Sequence, residues 1–206
     1  KYYIIAGERS GDLHASHLMR ELRVLDPEAE FRCWGGNYMK AEGGQIVTHY
    51  KEMAYMGIVD VLLRADKLLK KIALCKKDIQ KVKPDVVILV DYSGFNLKIA
   101  EFVKKNIPGL KVFYYISPKV WAWNTSRAYT IKKLVDRMFV ILPFEKVFYK
   151  NFDYEVGYVG NPSMDEVTSF VPDPDFRKKN NLSDKPIIAV LPGSRRGEVE
   201  HMLHFM

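Results

Sequence analysis

The sequence is poor in cysteine and has no long hydrophobic run. Its 206 residues include two cysteines, Cys33 and Cys75, with no CxxC pair and no Cys/His cluster near either one. A disulfide framework and a structural metal site are therefore not expected, and this cysteine usage fits a reducing compartment. The five histidines show no ligand spacing such as HExxH. No apolar stretch approaches the roughly 20 residues that a membrane-spanning helix requires.

Acidic residues are also fewer than basic ones, 25 against 32, which gives a formal net charge of +7. Such an excess favours an anionic partner: a phosphorylated ligand, an acidic membrane surface or nucleic acid. Net charge does not choose among these partners, and a basic surface without any partner stays an open alternative. Hydrophobic residues make up 48% of the chain, which is ordinary for a globular protein with a packed core.

Short apolar runs alternate with amphipathic stretches along most of the chain. This alternation predicts an α/β fold with a doubly wound, parallel, Rossmann-like sheet and helices on both faces. The predicted strands lie at 2–6, 30–34, 45–49, 84–90, 111–116, 137–142 and 155–159. The predicted helices lie at 12–25, 57–81 (in two pieces), 95–106, 126–134 and 145–151.

The composition changes after Asn161. Residues 168–185 hold two prolines and a basic cluster, which predicts a linker with a short helix. The pattern then predicts a new βα unit, with a strand at 186–191, a turn and a helix from Glu198 onward. We therefore predict an N-terminal Rossmann-like domain at 1–167, a linker at 168–185 and the beginning of a second domain at 186–206. The chain would then be the N-terminal half of a longer protein. In the alternative, the last βα unit closes the first sheet.

Turns at strand ends carry the candidate site, because doubly wound sheets bind ligands outside the carboxyl ends of their strands. The first such turn, AGERSGD, places Gly7, Ser10, Gly11 and Asp12 between a strand and a helix. Its small residues let a ligand approach the backbone and the helix N-terminus, although it matches neither GxGxxG nor a P-loop. A turn that is merely well capped, with Ser10 or Asp12 as the N-cap, is the alternative.

The second turn, VDYSGFN, follows the apolar run that ends at Val90. A carboxylate at the end of a buried strand is partly desolvated, which raises its pKa toward the range of a general base. Asp91 is therefore a candidate base. Alternatively, Asp91 or Ser93 caps the helix that begins near Phe95, and the local pattern does not decide between these roles.

Two further strand-end segments carry positive charge. In SPKVWAWNTSR, Trp121 and Trp123 stand beside Lys119 and Arg127. Paired aromatics with basic neighbours are typical of a ligand-facing or membrane-facing surface, and both cations can hold phosphate. In LPGSRR, Arg195 can bind a diphosphate beside a helix N-terminus.

The helical stretch 57–83 combines apolar positions with many lysines. A basic amphipathic helix of this kind can lie on an anionic membrane surface. The favoured alternative is a crossover helix that covers the sheet and exposes a solvated basic face, because the apolar stripe has the width of an ordinary core-facing helix.

Nine short stretches that span the chain resemble one family when they are taken in order. They are AGExSGD at 6–12, GxxM at 36–39, MGIVDVL at 56–62, VD at 90–91, FN at 95–96, SPxVWAW at 117–123, LPFE at 142–145, VGxP at 159–162 and LPGSR at 191–195. The family is lipid-A-disaccharide synthase, glycosyltransferase family 19, with the two-domain GT-B architecture. The two-tryptophan loop, LPFE and LPGSR are its most specific parts.

This resemblance implies an inverting glycosyltransferase that needs neither a metal nor a cofactor. The donor would be UDP-2,3-diacylglucosamine and the acceptor 2,3-diacylglucosamine 1-phosphate (lipid X), with lipid A disaccharide 1-phosphate and UDP as products. The N-terminal domain would take the acceptor and the second domain most of the UDP, so the chain alone is expected to be inactive. The enzyme would be cytoplasmic, peripheral on the inner membrane and without nucleic acid; a homodimer is left open.

The resemblance also assigns roles residue by residue, with Asp91 as the catalytic base. Around the substrates it places Gly7, Ser10, Gly11, Asp12, Met56, Asn96, Ser117, Trp121, Trp123, Arg127, Glu145 and Asn161. At the donor diphosphate it places Gly193, Ser194 and Arg195.

Three sites depart from the family pattern. Ser93 and Gly94 replace the Pro and the second Asp of an Asp-x-Pro-Asp-Phe-Asn turn, which puts more weight on Asp91. Asn161 replaces a histidine, and Asn124 replaces a residue that is often basic. We interpret the chain as a divergent member whose acceptor preference is open.

Two other classes of function stay open on the sequence alone. Another GT-B enzyme that uses a UDP-sugar, such as an epimerase or a cell-wall glycosyltransferase, would share the fold but lack the two-tryptophan loop. A non-catalytic module that binds a membrane surface or nucleic acid would follow from the charge, although no nucleic-acid-binding motif is present.

Overall fold

The computed structural model describes residues 1–53, 65–193 and 196–206. The chain divides into two compact units, Lys1–Met164 and Asp165–Met206. The described part of the first unit is built around one parallel sheet. Its strands are β1 Tyr2–Ala6, β2 Phe31–Gly35, β3 Gln45–His49, β4 Val86–Val90, β5 Lys111–Tyr115, β6 Arg137–Val140 and β7 Gly157–Tyr158.

The sheet has the order β3-β2-β1-β4-β5-β6-β7 and parallel pairing at every register that joins neighbouring strands. From β1 the chain adds strands toward one edge, then returns and adds β4 to β7 toward the other. The direction therefore reverses between β1 and β4, which makes their carboxyl ends the switch point of the sheet. The predicted α/β doubly wound, Rossmann-like fold is confirmed.

Helices cover both faces of the sheet. The first unit contains α1 Arg9–Leu25, α2 Asn37–Ala41, a 3₁₀ helix Tyr50–Glu52, α3 Ala65–Val82, α4 Ser93–Asn106, α5 Val120–Trp123, α6 Arg127–Leu134 and α7 Pro143–Lys150. The chain continues through α8 Pro162–Ser169, α9 Phe176–Lys179 and α10 Arg196–Met202. The seven predicted strands of the first sheet form within two residues of the predicted bounds, whereas α2 and α5 were not predicted.

The core has two layers because strand side chains alternate between the faces. Ile4 and Ala6 of β1 pack with the α1 side chains Ala15 and Met19. Tyr3 and Ile5 point to the opposite face, where side chains from α3, α4 and α6 complete the larger layer, among them Ile79, Ile99 and Ile131. β4 is buried from Val87 to Val90, as expected for an apolar central strand.

A polar network also ties α3 to the sheet. The Asp78 carboxylate accepts hydrogen bonds from Tyr3 Oη at 2.9 Å and from both ends of the Arg32 guanidinium at 3.0 and 2.8 Å. Trp34 Nε1 donates to Tyr3 Oη at 2.7 Å. The Arg32 and Tyr3 hydrogen bonds, together with the Arg32 charge, hold the pKa of Asp78 below its ordinary value, although burial opposes them. α3 is therefore fixed on β1 and β2 by paired polar groups as well as by apolar packing.

One predicted element is absent. Residues 186–191 form no strand, and their apolar side chains are largely exposed, with Ile188 at 88% and Leu191 at 81%. A strand needs a neighbour for its backbone hydrogen bonds, and no described strand pairs with this segment. The prediction of a strand there was wrong for this chain. The predicted helical piece at 57–64 lies outside the described residues. None of the described helices has the length and apolarity to cross a membrane.

Candidate functional site

The switch point brings together the two turns that the sequence singled out. β1 and β4 are hydrogen-bonded neighbours, with Ala6 level with Val90. The turn that begins at Gly7 and the turn that begins at Asp91 therefore emerge side by side at the carboxyl edge of the sheet. β5 delivers Ser117 and the two-tryptophan segment to the same edge, since Val90 is level with Tyr115.

Gly7 is required by close packing between the two turns. A Cβ atom at Gly7 would lie 2.3 Å from ring carbons of Tyr92, far inside van der Waals contact. Gly11 is tight as well, because its Cβ would lie 3.3 Å from the Cβ of Ala6. Gly7 thus lets the Tyr92 ring pack against the turn after β1, and Gly11 lets the first turn of α1 approach β1 and β4 closely.

Asp12 has a different role from the N-cap that the local pattern left open. The N-cap of α1 is Glu8, so neither Ser10 nor Asp12 stands at that position. The buried Asp12 carboxylate accepts hydrogen bonds from three backbone amides at the beginning of α2. These are Gly36 N at 2.6 Å, Tyr38 N at 3.1 Å and Met39 N at 3.2 Å. Asp12 therefore ties α1 to the turn after β2, whereas Ser10 is exposed on the first turn of α1.

Asp91 lies in a strained and firmly held turn. Asp91 and Tyr92 both have left-handed backbone angles, with φ of 43° and 45°. Each such residue costs on the order of 1–3 kcal/mol, and this kind of strain concentrates at functional sites. The Asp91 carbonyl accepts hydrogen bonds from Asn96 Nδ2 at 2.8 Å and from the Tyr114 hydroxyl. Its amide donates to the Ile116 carbonyl at 3.3 Å.

The capping alternative for this turn fails. α4 begins at Ser93, and its N-cap residue is Tyr92 in the left-handed conformation. Neither Asp91 nor Ser93 therefore occupies the N-cap position. Ser93 Oγ instead accepts a hydrogen bond from Arg127 Nη1 at 3.2 Å.

The surroundings of Asp91 favour its neutral form. Burial raises the pKa of Asp91, and the Glu8 carboxylate raises it further. The Tyr92 backbone amide and the Lys119 ammonium oppose this by lowering the pKa of Asp91. A carboxylate with a raised pKa is a stronger base than an exposed aspartate, so Asp91 is suited to accept a proton.

The two-tryptophan segment forms α5, and hydrogen bonds join it to α7. Trp121 Nε1 donates to Glu145 Oε1 at 3.2 Å, and Leu142 N donates to Glu145 Oε2 at 3.0 Å. Ser117 Oγ lies 2.7 Å from the hydroxyl of Tyr149, which is also on α7. Ser117 and Glu145 are both buried, so these two predicted site residues lie within the packed interior.

Arg127 joins the two strand-end segments. Its guanidinium carbon lies 4.5 Å from the ring centre of Trp123, and its Nη1 reaches Ser93 beside Asp91. Trp123 is 61% exposed. A cation held over an exposed aromatic ring and hydrogen-bonded to the turn that carries Asp91 is an arrangement that can bind an anionic ligand.

The remaining predicted residues are more scattered. Asn161 Oδ1 accepts a hydrogen bond from Ser163 N at 3.1 Å at the beginning of α8. Gly193 has φ of 120° and lies in the second unit. Met56, Ser194 and Arg195 lie outside the described residues.

Sequence reasoning missed two residues that act on Asp91. Tyr114 lies within β5, where an aromatic residue is typical of the hydrophobic core. Its hydrogen bond to the Asp91 carbonyl is visible only in the folded structure. Glu8 follows the first glycine of the β1 turn, and its effect on the pKa of Asp91 depends on the neighbouring β4. The predicted alternation of strands and helices could have suggested that Glu8 and Asp91 lie close together. It could not have shown the hydrogen bond between Tyr114 and the Asp91 carbonyl.

Comparison with known proteins agrees with the arrangement. The sequence profile described as lipid-A-disaccharide synthetase matches residues 2–206. A lipid-A-disaccharide synthase of Myxococcus xanthus (strain DK1622) is 42% identical over 205 residues, covering 97% of this chain and 52% of the relative. Lipid-A-disaccharide synthase 1 of Legionella pneumophila (strain Lens) is 38% identical over 198 residues, covering 96% and 51%.

A solved structure shares the fold at low sequence identity. UDP-GlcNAc 2-epimerase from Neisseria meningitidis, bound to UDP-GlcNAc, matches with a TM-score of 0.58 and 10% identity, over 86% of this chain and 51% of the epimerase chain. The chain spans about half the length of the curated relatives that it matches. Because the family profile covers nearly every residue, the chain belongs to the lipid-A-disaccharide synthetase family.

Proposed function

We propose that this chain is the acceptor-binding part of an inverting GT-B glycosyltransferase, a lipid-A-disaccharide synthase. The enzyme transfers 2,3-diacylglucosamine from UDP-2,3-diacylglucosamine to lipid X and releases UDP and lipid A disaccharide 1-phosphate. Relatives with this name, at about 40% identity along nearly the whole chain, support this over another UDP-sugar enzyme. The epimerase match at 10% identity concerns the fold alone.

The observation that carries the proposal is the environment of Asp91. In a single displacement, the acceptor hydroxyl oxygen forms a bond to the anomeric carbon of the donor while the bond from that carbon to UDP breaks. UDP leaves with the electron pair, and a base must take the hydroxyl proton. Asp91 is half-buried at the switch point, its pKa is raised, and Asn96 and Tyr114 donate hydrogen bonds to its carbonyl.

The cations near Asp91 are assigned to the phosphate of lipid X. Arg127 is already oriented by Ser93 and Trp123, and Lys119 is exposed and acts on Asp91. Arginine binds phosphate through paired hydrogen bonds, and lysine adds a point charge. Gly193, Ser194 and Arg195 are assigned to the donor diphosphate, on the strength of the sequence motif alone.

Both substrates carry acyl chains, so we also propose that the enzyme works on the cytoplasmic face of the inner membrane as a peripheral protein. The roles of Gly7, Gly11 and Asn96 are to shape and hold the turns beside the acceptor.

The test is UDP release by the full-length protein with UDP-2,3-diacylglucosamine and lipid X. We expect Asp91→Asn to lower kcat/KM by roughly 10²–10⁴-fold, the usual contribution of a general base. Asp153→Asn is the matched control, since Asp153 is also an aspartate with a left-handed backbone, at φ of 51°, and is exposed outside the site. Full activity of Asp91→Asn, or no transfer by the wild-type protein, would overturn the proposal.

A further inference from the structure

One buried tyrosine reaches the turn that carries Asp91. Tyr114 lies on β5, is fully buried, and packs its ring in the larger core layer. The register places Tyr114 level with Leu89, two residues before Asp91. Two residues of strand span about 7 Å, and the tyrosine hydroxyl covers this distance to reach the Asp91 carbonyl. Because its side chain is buried, Tyr114 acts on this turn from within the protein and not by contact with a ligand.

The turns after β4 and β5 both contain strained backbone. Asp91 and Tyr92 have left-handed φ angles of 43° and 45°, and Ile116 in the neighbouring turn has φ of 64°. Left-handed backbone is uncommon for residues other than glycine and is most unusual for a β-branched residue such as isoleucine. Conformations of this kind persist only where the surrounding contacts impose them. The contacts of these turns therefore decide where the Asp91 side chain lies.

Three groups hold the backbone of Asp91. Its amide donates to the Ile116 carbonyl at 3.3 Å, which joins the two strained turns. Its carbonyl accepts hydrogen bonds from Asn96 Nδ2 at 2.8 Å and from the Tyr114 hydroxyl. Asn96 Nδ2 also donates to the Val90 carbonyl at 3.2 Å, so Asn96 divides its amide protons between two acceptors. The Tyr114 hydroxyl has a single proton, and the Asp91 carbonyl accepts it.

The Tyr114 hydroxyl remains a donor while Asp91 titrates. Burial raises the pKa of Tyr114 well above its ordinary value, and the Asp91 carboxylate raises it further. The hydroxyl therefore keeps its proton in the pH range where a carboxylate gains or loses one. Its hydrogen bond to the Asp91 carbonyl is thus a constant feature of the turn, whether Asp91 is charged or neutral.

We propose that Tyr114 is a positioning residue for the transfer reaction. Its hydrogen bond keeps the turn in the left-handed conformation that directs the Asp91 carboxylate toward the acceptor hydroxyl. The inference rests on the proposed function and deepens it, since Asp91 is the base in that reaction. Without the Tyr114 hydroxyl, part of the population relaxes from the left-handed conformation, and the carboxylate leaves its working position. Proton transfer depends steeply on such placement.

The test compares Tyr114→Phe with Tyr154→Phe in the full-length protein. Both substitutions keep the aromatic ring and remove a hydroxyl that donates to a backbone carbonyl. Tyr154 Oη donates to the Val135 carbonyl at 3.1 Å, in the segment between α7 and β7. Tyr154→Phe therefore measures the effect of losing such a hydrogen bond away from Asp91. UDP release gives kcat, and KM for both substrates, as functions of pH.

We expect Tyr114→Phe to lower kcat by about tenfold or more, because a misplaced base transfers a proton slowly. KM for both substrates should stay within about twofold of the wild type. The pH at which kcat rises should not move, since molecules that keep the turn also keep the groups that set the pKa of Asp91. Tyr154→Phe should retain kcat within about twofold.

Two kinetic results would overturn the inference. Equal kcat in Tyr114→Phe and Tyr154→Phe would show that the Tyr114 hydroxyl serves stability alone. A rise of kcat at a different pH, with the same maximum as in the wild type, would show that the hydroxyl acts on the titration of Asp91 and not on its position.

Amide hydrogen exchange separates this inference from the proposed function. Segment 90–96 contains the Asp91 amide, which donates to the Ile116 carbonyl. Its exchange, followed by mass spectrometry, should be at least about tenfold faster in Tyr114→Phe than in Tyr154→Phe or the wild type. If exchange is faster but the wild type transfers no sugar, the proposed function fails and Tyr114 still positions the turn. If the wild type transfers sugar but exchange is equal in the two variants, the positioning role fails alone.

Discussion

At the scale of single residues, two neighbours act on Asp91 in opposite directions. Glu8 raises the pKa of Asp91, and Lys119 lowers it. A general base works only when it is deprotonated, so activity should rise with pH through the pKa of Asp91. Glu8→Gln removes the raising charge and should move this acid limb of kcat/KM to lower pH. Lys119→Gln should move it to higher pH.

The measurement is a pH profile of UDP release by the full-length protein. Glu155→Gln is the control, because Glu155 is exposed and lies between α7 and β7. If the acid limb of kcat/KM moved in the same direction in Glu8→Gln and Lys119→Gln, or moved in neither, the limb would not reflect the titration of Asp91.

Gly94 allows a second test beside Asp91. It is the second residue of α4 and is exposed, and a Cβ there would meet nothing within 4 Å. Gly94→Asp should therefore fit, and it should raise the free energy of unfolding by about 1 kcal/mol, because a glycine leaves a helix and an acidic group enters its first turn. The new carboxylate should also raise the pKa of Asp91 and move the acid limb to higher pH.

Denaturant unfolding and the same pH profile measure both effects. Gly94→Ala separates them, since it should give part of the added stability without shifting the acid limb. A lower stability for both variants would show that the turn does not have the space that the structure gives it.

At the scale of elements, the sequence predicts the helices and strands that have a regular apolar pattern. It does not predict contacts between residues that are far apart in the chain. β4 was predictable because its residues are apolar throughout, and α4 because Phe95, Ile99 and Val103 recur on one face. The role of Asp12 was not predictable, since its three amide donors lie 24 to 27 residues further along the chain. The short α5 has no periodic pattern, and its position depends on a buried carboxylate on α7.

That carboxylate, Glu145, fastens α5 to α7. It is 1% exposed and accepts hydrogen bonds from Trp121 Nε1 and Leu142 N. Glu145→Ala leaves both donors without their partner, so we expect a loss of about 2–4 kcal/mol in the free energy of unfolding. It should also release the Trp121 side chain, which makes tryptophan fluorescence easier to quench with acrylamide.

Glu155→Ala is again the matched control, because it removes an exposed carboxylate and should change stability by no more than about 0.5 kcal/mol. If Glu145→Ala were as stable as this control, the contact between α5 and α7 would contribute little, and the two tryptophans would be positioned by packing alone.

At the scale of the whole molecule, the alternation of strands and helices was enough to predict a doubly wound sheet, and with it the edge where Asp91 lies. It was not enough for residues 186–191. Their apolar pattern is that of a strand, but a pattern does not state whether a partner strand exists, and none of the described strands provides one. The candidate site shows the same limit, since Asp91 was predicted from its place and Tyr114 only becomes visible in the fold.

The division of labour proposed for the enzyme predicts that the 206-residue chain binds lipid X without transferring a sugar. The residues proposed to bind the acceptor, Asp91, Lys119 and Arg127, all lie in the first unit, whereas most of the donor contacts are assigned to residues beyond it. Titration with lipid X in detergent, followed by tryptophan fluorescence, should saturate, and UDP release should stay at background.

Arg127→Gln should weaken the binding by about tenfold or more, because a charged hydrogen bond to phosphate is lost. Arg137→Gln, at an exposed arginine on the opposite edge of the sheet, should not. Transfer by the chain alone, or equal binding by both variants, would show that the acceptor is held elsewhere.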